Sequence, residues 1–225
     1  MLKGEQIASG NEKKVHAHAT RPGDVVAEYR VRYTPEEMKS AYALGRLAEL
    51  LFPGQVIHLR GAGNTAAGES TLVSRRVAHD PAHAKLQDVL VAFDKREELG
   101  QEVPFSEAEI NAAFSNVYDK SDERALSPQV IDFVRRANDA GFQFDTNGQN
   151  YTFHDDGSFT YMDLGPAFIY RRDEGGTLTD RVNVNFDPTK LQTAIRSLEP
   201  DKRALAEKYF DDLTKLLKNA GVNIQ

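Results

Sequence analysis

Three polar residues in the second half of the chain have types suited to holding a divalent cation. Asp145 and Asn150 lie five positions apart, and Asp163 begins the tripeptide Asp163-Leu164-Gly165. Mg²⁺ prefers oxygen ligands, and where it bridges phosphates it is typically bound by only one or two protein carboxylates or amides. The pattern indicates metal-assisted phosphate chemistry.

The surrounding segments predict elements that can bring these residues together. A helix is predicted from Pro128 to Ala140, opened by Ser127 and closed by Gly141. Residues 151–162 predict a hairpin that turns at His154-Asp155-Asp156-Gly157. The other helices predicted after residue 77 are 82–93, 106–118, 188–198 and 201–219.

The first 77 residues predict an antiparallel sheet with one helix. The predicted strands are 6–8, 15–19, 25–31, 55–59 and 70–74, with residues 61–64 as a glycine-rich loop. Thr34-Pro35-Glu36-Glu37 predicts a capped helix start, and Pro53-Gly54 ends that helix after Phe52. The elements predict an α+β fold.

The polar residues resemble the motifs of the protein-kinase superfamily. Asp145 and Asn150 have the spacing of the catalytic loop H-R-D-x-x-x-x-N, and Asp163-Leu164-Gly165 is similar to D-F-G. The resemblance implies that Asp145 accepts the hydroxyl proton, that Asn150 and Asp163 hold Mg²⁺, and that Gly165 permits the following turn. Each of these residues is also common in ordinary turns. A metal-independent binding protein unrelated to kinases would be indicated if the three polar residues lay far apart.

By the same resemblance the chain has two lobes. Residues 1–77 would form the five-stranded antiparallel lobe with one helix, and residues 78–225 a truncated, mostly helical lobe. The segment from Gly4 to His16 is similar to a reduced glycine-rich loop with Gly10 at its tip, where backbone N–H groups could cover phosphates. A simple hairpin turn explains the same residues.

The usual lysine of the third kinase strand is missing. Residues 25–30, where kinases carry V-A-I-K, contain no lysine, and the helix position of its glutamate partner falls near Ala43. Lys13, two residues before Val15 of the second predicted strand, is the proposed substitute, as in the with-no-lysine kinases. Arg30 is a poorer candidate.

The resemblance implies a compact, atypical or bacterial-type kinase that uses ATP and Mg²⁺ to phosphorylate a hydroxyl of a protein or a small molecule. One alternative is a pseudokinase that acts as a nucleotide-binding or protein-interaction module. Another is a kinase-fold transferase of a different group, such as AMP. Gln143-Phe144 replaces His-Arg before Asp145, so regulation by a phosphorylated activation loop is not expected.

Composition argues against several other functions. The net charge is −6, and no run of Lys or Arg exceeds two residues, so nucleic acid is not an expected partner. The chain has no cysteine, which excludes disulfides, thiolate metal sites and thiol nucleophiles. Its apolar runs are shorter than the roughly 20 residues that cross a bilayer. We expect a soluble, cytoplasmic protein with no membrane partner.

Overall fold

A computed structural model describes residues 3–10, 12–78, 80–118, 123, 125–173 and 177–222. Five antiparallel strands form one sheet in the order β1-β2-β3-β5-β4. These strands are β1 (Lys3–Ser9), β2 (Lys13–His18), β3 (Asp24–Tyr29), β4 (Leu59–Asn64) and β5 (Ser70–Arg75). The helix α1 (Pro35–Leu51) connects β3 to β4 and packs on the sheet. The predicted α+β class, with a five-stranded sheet and one helix, is confirmed.

The start of α1 follows from its capping sequence. Thr34 Oγ1 accepts from the amide of Glu37 at 3.2 Å, and the Glu37 carboxylate accepts from the amide of Thr34 at 2.6 Å. This reciprocal pair satisfies two amides that the first helical turn leaves without partners. The apolar face of α1, which includes Met38 and Leu47, is fully buried.

The fourth strand lies later in the chain than predicted. The predicted strand 55–59 pairs instead with the later hairpin, where Ile57 donates its amide to the carbonyl of Tyr161 at 2.9 Å. The predicted loop 61–64 is part of β4, and Gly61 to Asn64 face Val73 to Ser70 of β5. Glycine and alanine have little intrinsic preference for strands. Pairing with β5, which local sequence does not reveal, decides the conformation here.

The helices after the sheet begin within one or two residues of their predicted starts. They are α2 (Pro81–Leu99), α3 (Glu107–Tyr118), α4 (Pro128–Asp139), α5 (Pro188–Arg196) and α6 (Pro200–Asn219). The helix α2 continues to Leu99 rather than stopping at Phe93, because Gly100 supplies the left-handed cap with φ 67°. None of the helices in the described part of the chain combines the length and the apolarity that a membrane span needs.

Two hairpins follow α4. The predicted one is confirmed as β6 (Tyr151–Phe153) and β7 (Phe159–Tyr161). The second, β8 (Phe168–Arg172) with β9 (Leu178–Val184), was not predicted. It is anchored by a distant contact, since the amide of Tyr170 donates to Glu37 Oε1 on α1 at 2.8 Å.

An aromatic core beneath the hairpins fixes the loop that carries Asp145. The Phe133 ring of α4 lies 5.4 Å from the Phe52 ring at the end of α1 and 5.4 Å from the Phe159 ring of β7. Phe142 and Phe144 of the loop stack on each other, Phe144 also stacks on Phe133, and Phe142 packs edge-on against Phe52. Aromatic burial thus joins the sheet's helix to the segments after residue 128. The lobe boundary between residues 77 and 78 stays a prediction.

Candidate functional site

A cleft of about 980 Å³ is bordered by β1, β2, α2 and the segment that precedes β8. Residues lining it include all the proposed site residues, namely Gly10, Lys13, Asp145, Asn150 and Asp163. The kinase resemblance requires that these residues, from both halves of the chain, lie together. The alternative of a binding protein unrelated to kinases depended on Asp145, Asn150 and Asp163 lying far apart, whereas they line the same cleft.

Lys13 and Asp163 form an ion pair within the cleft. Lys13 Nζ lies 2.6 Å from Asp163 Oδ1, and the two side chains are 22% and 29% exposed. Among the described residues, the lysine ammonium makes no other ion pair. The proposed substitute lysine therefore reaches the carboxylate that opens the D-L-G tripeptide.

Arg30, the other candidate, points to a different partner. Its guanidinium donates to Asp94 of α2 at 2.8 Å, to Ser9 Oγ at 3.0 Å and to the carbonyl of Gly10 at 3.0 Å. These bonds hold the Arg30 guanidinium beside Ser9 and Gly10, at the start of the turn between β1 and β2. Lys13, rather than Arg30, is the cation placed beside Asp163.

A backbone hydrogen bond closes the hairpin turn between β1 and β2. The amide of Gly10 donates to the carbonyl of Lys13 at 2.9 Å, so this N–H is paired within the turn. Asn11, at the centre of the predicted loop, lies outside the described residues. That the turn at Gly10 covers phosphates stays a prediction.

Asp145 and Asn150 belong to one hydrogen-bonded loop. Asn150 Nδ2 donates to the Asp145 carbonyl at 3.4 Å, and Met162, which precedes Asp163, donates its amide to the Asn150 carbonyl at 2.8 Å. Asp145 is exposed, and its Oδ1 accepts from the amide of Asn147 at 3.0 Å. The loop therefore places an open carboxylate, an amide and Asp163 in sequence along the cleft.

Tyr161 supports this loop from below. Its hydroxyl accepts from the amide of Asp145 at 3.2 Å. Burial and the nearby Asp163 charge raise the pKa of Tyr161 far above its ordinary value, so the phenol stays protonated. The residue is a fixed support rather than a proton donor that titrates near neutrality.

The oxygen ligands suit an ion that shares its shell with phosphates. No cluster of three His, Cys, Asp or Glu side chains occurs among the described residues. Asp163 and Asn150 offer one carboxylate and one amide, joined through the Met162–Asn150 backbone bond. Mg²⁺ in nucleotide sites needs only one or two such ligands beside phosphate oxygens and water. The residues fit that role and do not form an all-protein metal cage.

Helix α1, which is described in full, has no glutamate paired with Lys13, as the sequence predicted from the alanine at position 43. Ala43 faces a second cavity, of about 380 Å³, which Tyr209 of α6 also lines. The Glu37 carboxylate is occupied by the amides of Thr34 and Tyr170. Glu49 pairs with Arg46 at 2.6 Å. No carboxylate of α1 therefore pairs with Lys13.

The D-L-G tripeptide is held by packing and by a phenol. Tyr29 Oη donates to the Leu164 carbonyl at 2.6 Å, while a Cβ placed on Gly45 of α1 would lie 3.1 Å from Leu164 Cδ1. Gly165 is not left-handed, and a Cβ there would meet no atom within 4 Å. The turn therefore does not depend on glycine at position 165, contrary to our expectation.

Sequence reasoning missed the wall that α2 contributes to the cleft. The amide of Ser9 donates to Gln87 Oε1 at 2.8 Å, and Lys14 pairs with Glu98. Asp94 accepts from Gln6, Ser9 and Arg30. Helical periodicity reports which face of α2 is apolar but not where the helix docks, so only the pairing of these polar residues reveals the contact.

From β1 to Asp163 the elements follow the predicted order: sheet with a single helix, helices, loop with Asp145 and Asn150, hairpin, then Asp163. The fold is kinase-like. No protein-family model matches the chain, and no curated protein sequence matches it significantly.

Two solved structures illustrate what the chain is similar to. One is the CAK complex from Chaetomium thermophilum bound to ATP-gamma-S, at 13% identity and TM-score 0.37, covering 97% of this chain and 68% of that one. The other is the GDP and kanamycin complex of APH(2")-IIia, at 10% identity and TM-score 0.39, covering 96% and 80%. At these TM-scores the likeness is loose, and the role of the site is inferred below from the chain's own contacts.

Proposed function

We propose that this chain is a phosphotransferase that uses ATP and Mg²⁺ to phosphorylate a hydroxyl of a protein or a small molecule. The observation that carries the proposal is the 2.6 Å ion pair between Lys13 and Asp163. Sequence spacing selected the two residues separately, one as a phosphate contact and one as a metal ligand. Their meeting in a cleft with Asp145 and Asn150 supports a common task.

Lys13 is the proposed phosphate contact. Without nucleotide, its ammonium offsets the charge of Asp163, which keeps both side chains at the cleft. With nucleotide and Mg²⁺ bound, Asp163 would serve as a ligand of the ion, and Lys13 would be available to a phosphate oxygen. Because the ammonium of Lys13 is already in the cleft, little free energy is spent on moving it when a negatively charged phosphate binds.

Asp163 and Asn150 are the proposed metal ligands. They would offer the ion a carboxylate oxygen and an amide oxygen, and phosphate oxygens and water would complete its ligands. Bound there, Mg²⁺ would neutralise phosphate charge and orient the terminal phosphoryl group.

Asp145 is the proposed base. Its carboxylate is exposed at the cleft, and its backbone is fixed by Tyr161. An acceptor hydroxyl beside it would give its proton to Asp145 while its oxygen bonds to the γ-phosphorus. The bond between that phosphorus and the bridging oxygen of ADP breaks in the same displacement. Positioning and charge neutralisation provide most of the catalysis in such transfers.

Thermal unfolding with and without ATP and Mg²⁺ tests the site. A ligand that binds only the folded state at a hundredfold excess over its dissociation constant stabilises it by about 2.7 kcal/mol. We expect a metal-dependent rise in Tm in the wild type, and its loss in Lys13→Met and in Asp163→Asn. Absence of any shift at millimolar ATP and Mg²⁺ would overturn nucleotide binding.

Lys3→Met is the matched control. Lys3 is also a strand lysine in an ion pair, at 2.8 Å from Glu28 and 3.0 Å from Glu69, with a side chain 28% exposed. It does not line the cleft. Its removal should lower the base Tm while the shift induced by ATP and Mg²⁺ remains.

The products distinguish the proposed reaction from its alternatives. Release of ADP with label transferred from γ-labelled ATP supports phosphorylation. Release of pyrophosphate with transfer of AMP would identify a nucleotidyl transferase. A metal-dependent Tm shift without either product, across protein and small-molecule hydroxyl acceptors, would indicate the pseudokinase.

A further inference from the structure

Tyr29 occupies the place where the missing lysine would stand. It is the last residue of β3 and the fourth residue of Val26-Ala27-Glu28-Tyr29, the position of lysine in V-A-I-K. The residue is only 5% exposed, and its hydroxyl donates to the Leu164 carbonyl at 2.6 Å. A side chain of β3 thus still reaches the segment Asp163-Leu164-Gly165, the proposed metal loop, through a phenol instead of an ammonium.

The ring of Tyr29 also contacts Lys13. The two residues face each other in the register of β2 and β3, and Lys13 Nζ lies 5.6 Å from the ring centroid. Aromatic faces attract cations at this range. Tyr33 packs edge-on against the same ring, with centroids 5.1 Å apart, which fixes its orientation. One side chain therefore contacts both Lys13 and the backbone of Leu164, the residue that follows Asp163.

The phenol keeps its proton at ordinary pH. Burial raises the pKa of Tyr29 well above its usual value, and the negative charge of Asp163 adds to the rise. The hydroxyl is therefore a permanent donor to Leu164. Unlike a lysine–glutamate pair, this link does not depend on a second ionised group.

The helix contributes by shape rather than by charge. Gly45 has no Cβ, and one built there would lie 2.4 Å from Leu59 Cδ1 and 3.1 Å from Leu164 Cδ1. The Leu164 side chain thus packs directly on the backbone of α1, while its carbonyl is held by β3. Strand and helix together fix the residue that follows Asp163.

We propose that Tyr29 is a positioning residue that replaces the missing lysine–glutamate pair: it holds the metal loop through the Leu164 carbonyl and orients Lys13 with its ring. The inference rests on the proposed function, in which Asp163 binds Mg²⁺ and Lys13 binds phosphate. Its action on the ion is indirect, since the hydroxyl acts on the backbone next to the ligand.

Tyr29→Phe isolates the hydroxyl because the ring remains. The change leaves a buried carbonyl without its donor, and the loop that carries Asp163 becomes less constrained. Loss of a group that orients a metal ligand typically costs tenfold to a hundredfold in metal affinity. We expect the Mg²⁺ concentration for half-maximal ATP turnover to rise about tenfold or more, with kcat recovered at high Mg²⁺.

Tyr33→Phe is the matched control, because it removes a neighbouring phenol that does not contact Leu164. The control should show the Mg²⁺ dependence of the wild type. If Tyr29 were only structural, Tyr29→Phe would lower Tm without moving the Mg²⁺ half-saturation point, and that result would overturn the inference.

A double-mutant cycle in denaturant tests the same idea without nucleotide. If the hydroxyl holds Asp163 within reach of Lys13, Lys13→Met should lower the denaturant concentration at the unfolding midpoint by less in the Tyr29→Phe background than in the wild type. Additive losses would refute the inference even if ATP and Mg²⁺ bind. Coupled losses with no response to ATP would instead uphold the positioning contact and count against the proposed function.

Discussion

The guanidinium of Arg30 donates to the Asp94 carboxylate at 2.8 Å, which joins the end of β3 to α2. The same carboxylate accepts from Ser9 Oγ at 2.5 Å and from Gln6 Nε2 at 2.6 Å, both on β1. The side chain of Asp94 is only 9% exposed. One carboxylate thus fixes α2 against the strand that leads into the Gly10 turn.

Asp94→Asn should lower stability at neutral pH by about 1–3 kcal/mol, because it removes the charge from a buried hydrogen-bonded network. Urea unfolding of the variant beside the wild type measures this loss. Asp88→Asn, an exposed aspartate of the same helix, is the control and should change stability by less than about 0.5 kcal/mol.

The stability difference at Asp94 should depend on pH. Burial opposes ionisation, but hydrogen bonds from Ser9, Arg30 and Gln6 together lower the pKa of Asp94 below its ordinary value. A carboxylate with a lowered folded-state pKa stabilises the fold above its unfolded pKa of about 3.9 and loses that contribution as pH falls through the folded value. We expect the difference between wild type and Asp94→Asn to shrink below about pH 4. A difference that stays constant into acid would contradict this assignment.

Lys13→Arg and Lys13→Met should separate charge from shape. Both the Lys13–Asp163 distance of 2.6 Å and the contact with Tyr29 suit a compact ammonium. Arginine keeps the charge but carries a planar fork that differs in hydrogen-bond geometry. We expect kcat/KM to fall on the order of tenfold in Lys13→Arg and by roughly a hundredfold to a thousandfold in Lys13→Met. Equal activity in Lys13→Met and the wild type would remove Lys13 from the mechanism.

Gly45→Ala should destabilise the protein although alanine favours helices. The new Cβ would lie 2.4 Å from Leu59 Cδ1, and Leu59 is itself buried. Overpacking of this kind costs about 1–3 kcal/mol, against a gain of about 1 kcal/mol in helix propensity. Gly61→Ala is the control, since no atom lies within 4 Å of its Cβ. A stability gain in Gly45→Ala, measured by urea unfolding, would contradict the close packing of Leu164 and Leu59 on α1.

Gly141→Ala should be more costly than Gly157→Ala. Both glycines are left-handed, with φ 91° and 81°, so both substitutions strain the backbone by about 1–2 kcal/mol. Only at Gly141 would the Cβ meet other backbone, at 2.5 Å from the Asp187 carbonyl oxygen. Thermal or urea unfolding of the two variants isolates that clash, and equal losses would argue against the close approach of α5 to the loop before Asp145.

The sequence predicts what local chemistry decides. Thr34 and Glu37 predict the start of α1, and Gly157 predicts the turn of the first hairpin. The spacing of Asp145, Asn150 and Asp163 predicts that they share one site, and they line the same cleft. In each case a few neighbouring residues determine the backbone, so no knowledge of distant partners is needed. Lys13, by contrast, was proposed from the resemblance to the with-no-lysine kinases, in which a lysine of the second strand takes the place of the missing one.

Distant pairing decides what the sequence did not predict. Residues 61–64 become a strand because β5 pairs with them, and β8 forms where Tyr170 meets Glu37. Tyr29 looks like an ordinary core tyrosine until the Leu164 carbonyl is placed beside its hydroxyl. The docking of α2 depends likewise on Asp94 finding partners more than sixty positions earlier.

The ion pair between Lys13 and Asp163 joins residues 150 positions apart, and this separation bears on the order in which the protein is made. A ribosome adds about 5–20 residues each second, so Lys13 emerges on the order of ten seconds before Asp163 exists. Contacts that close long loops also form late in folding. A nascent chain stopped before the second half can therefore pair the strands of the sheet while lacking the charge pair. The Lys13–Asp163 pair can therefore form only after the chain has been translated through Asp163.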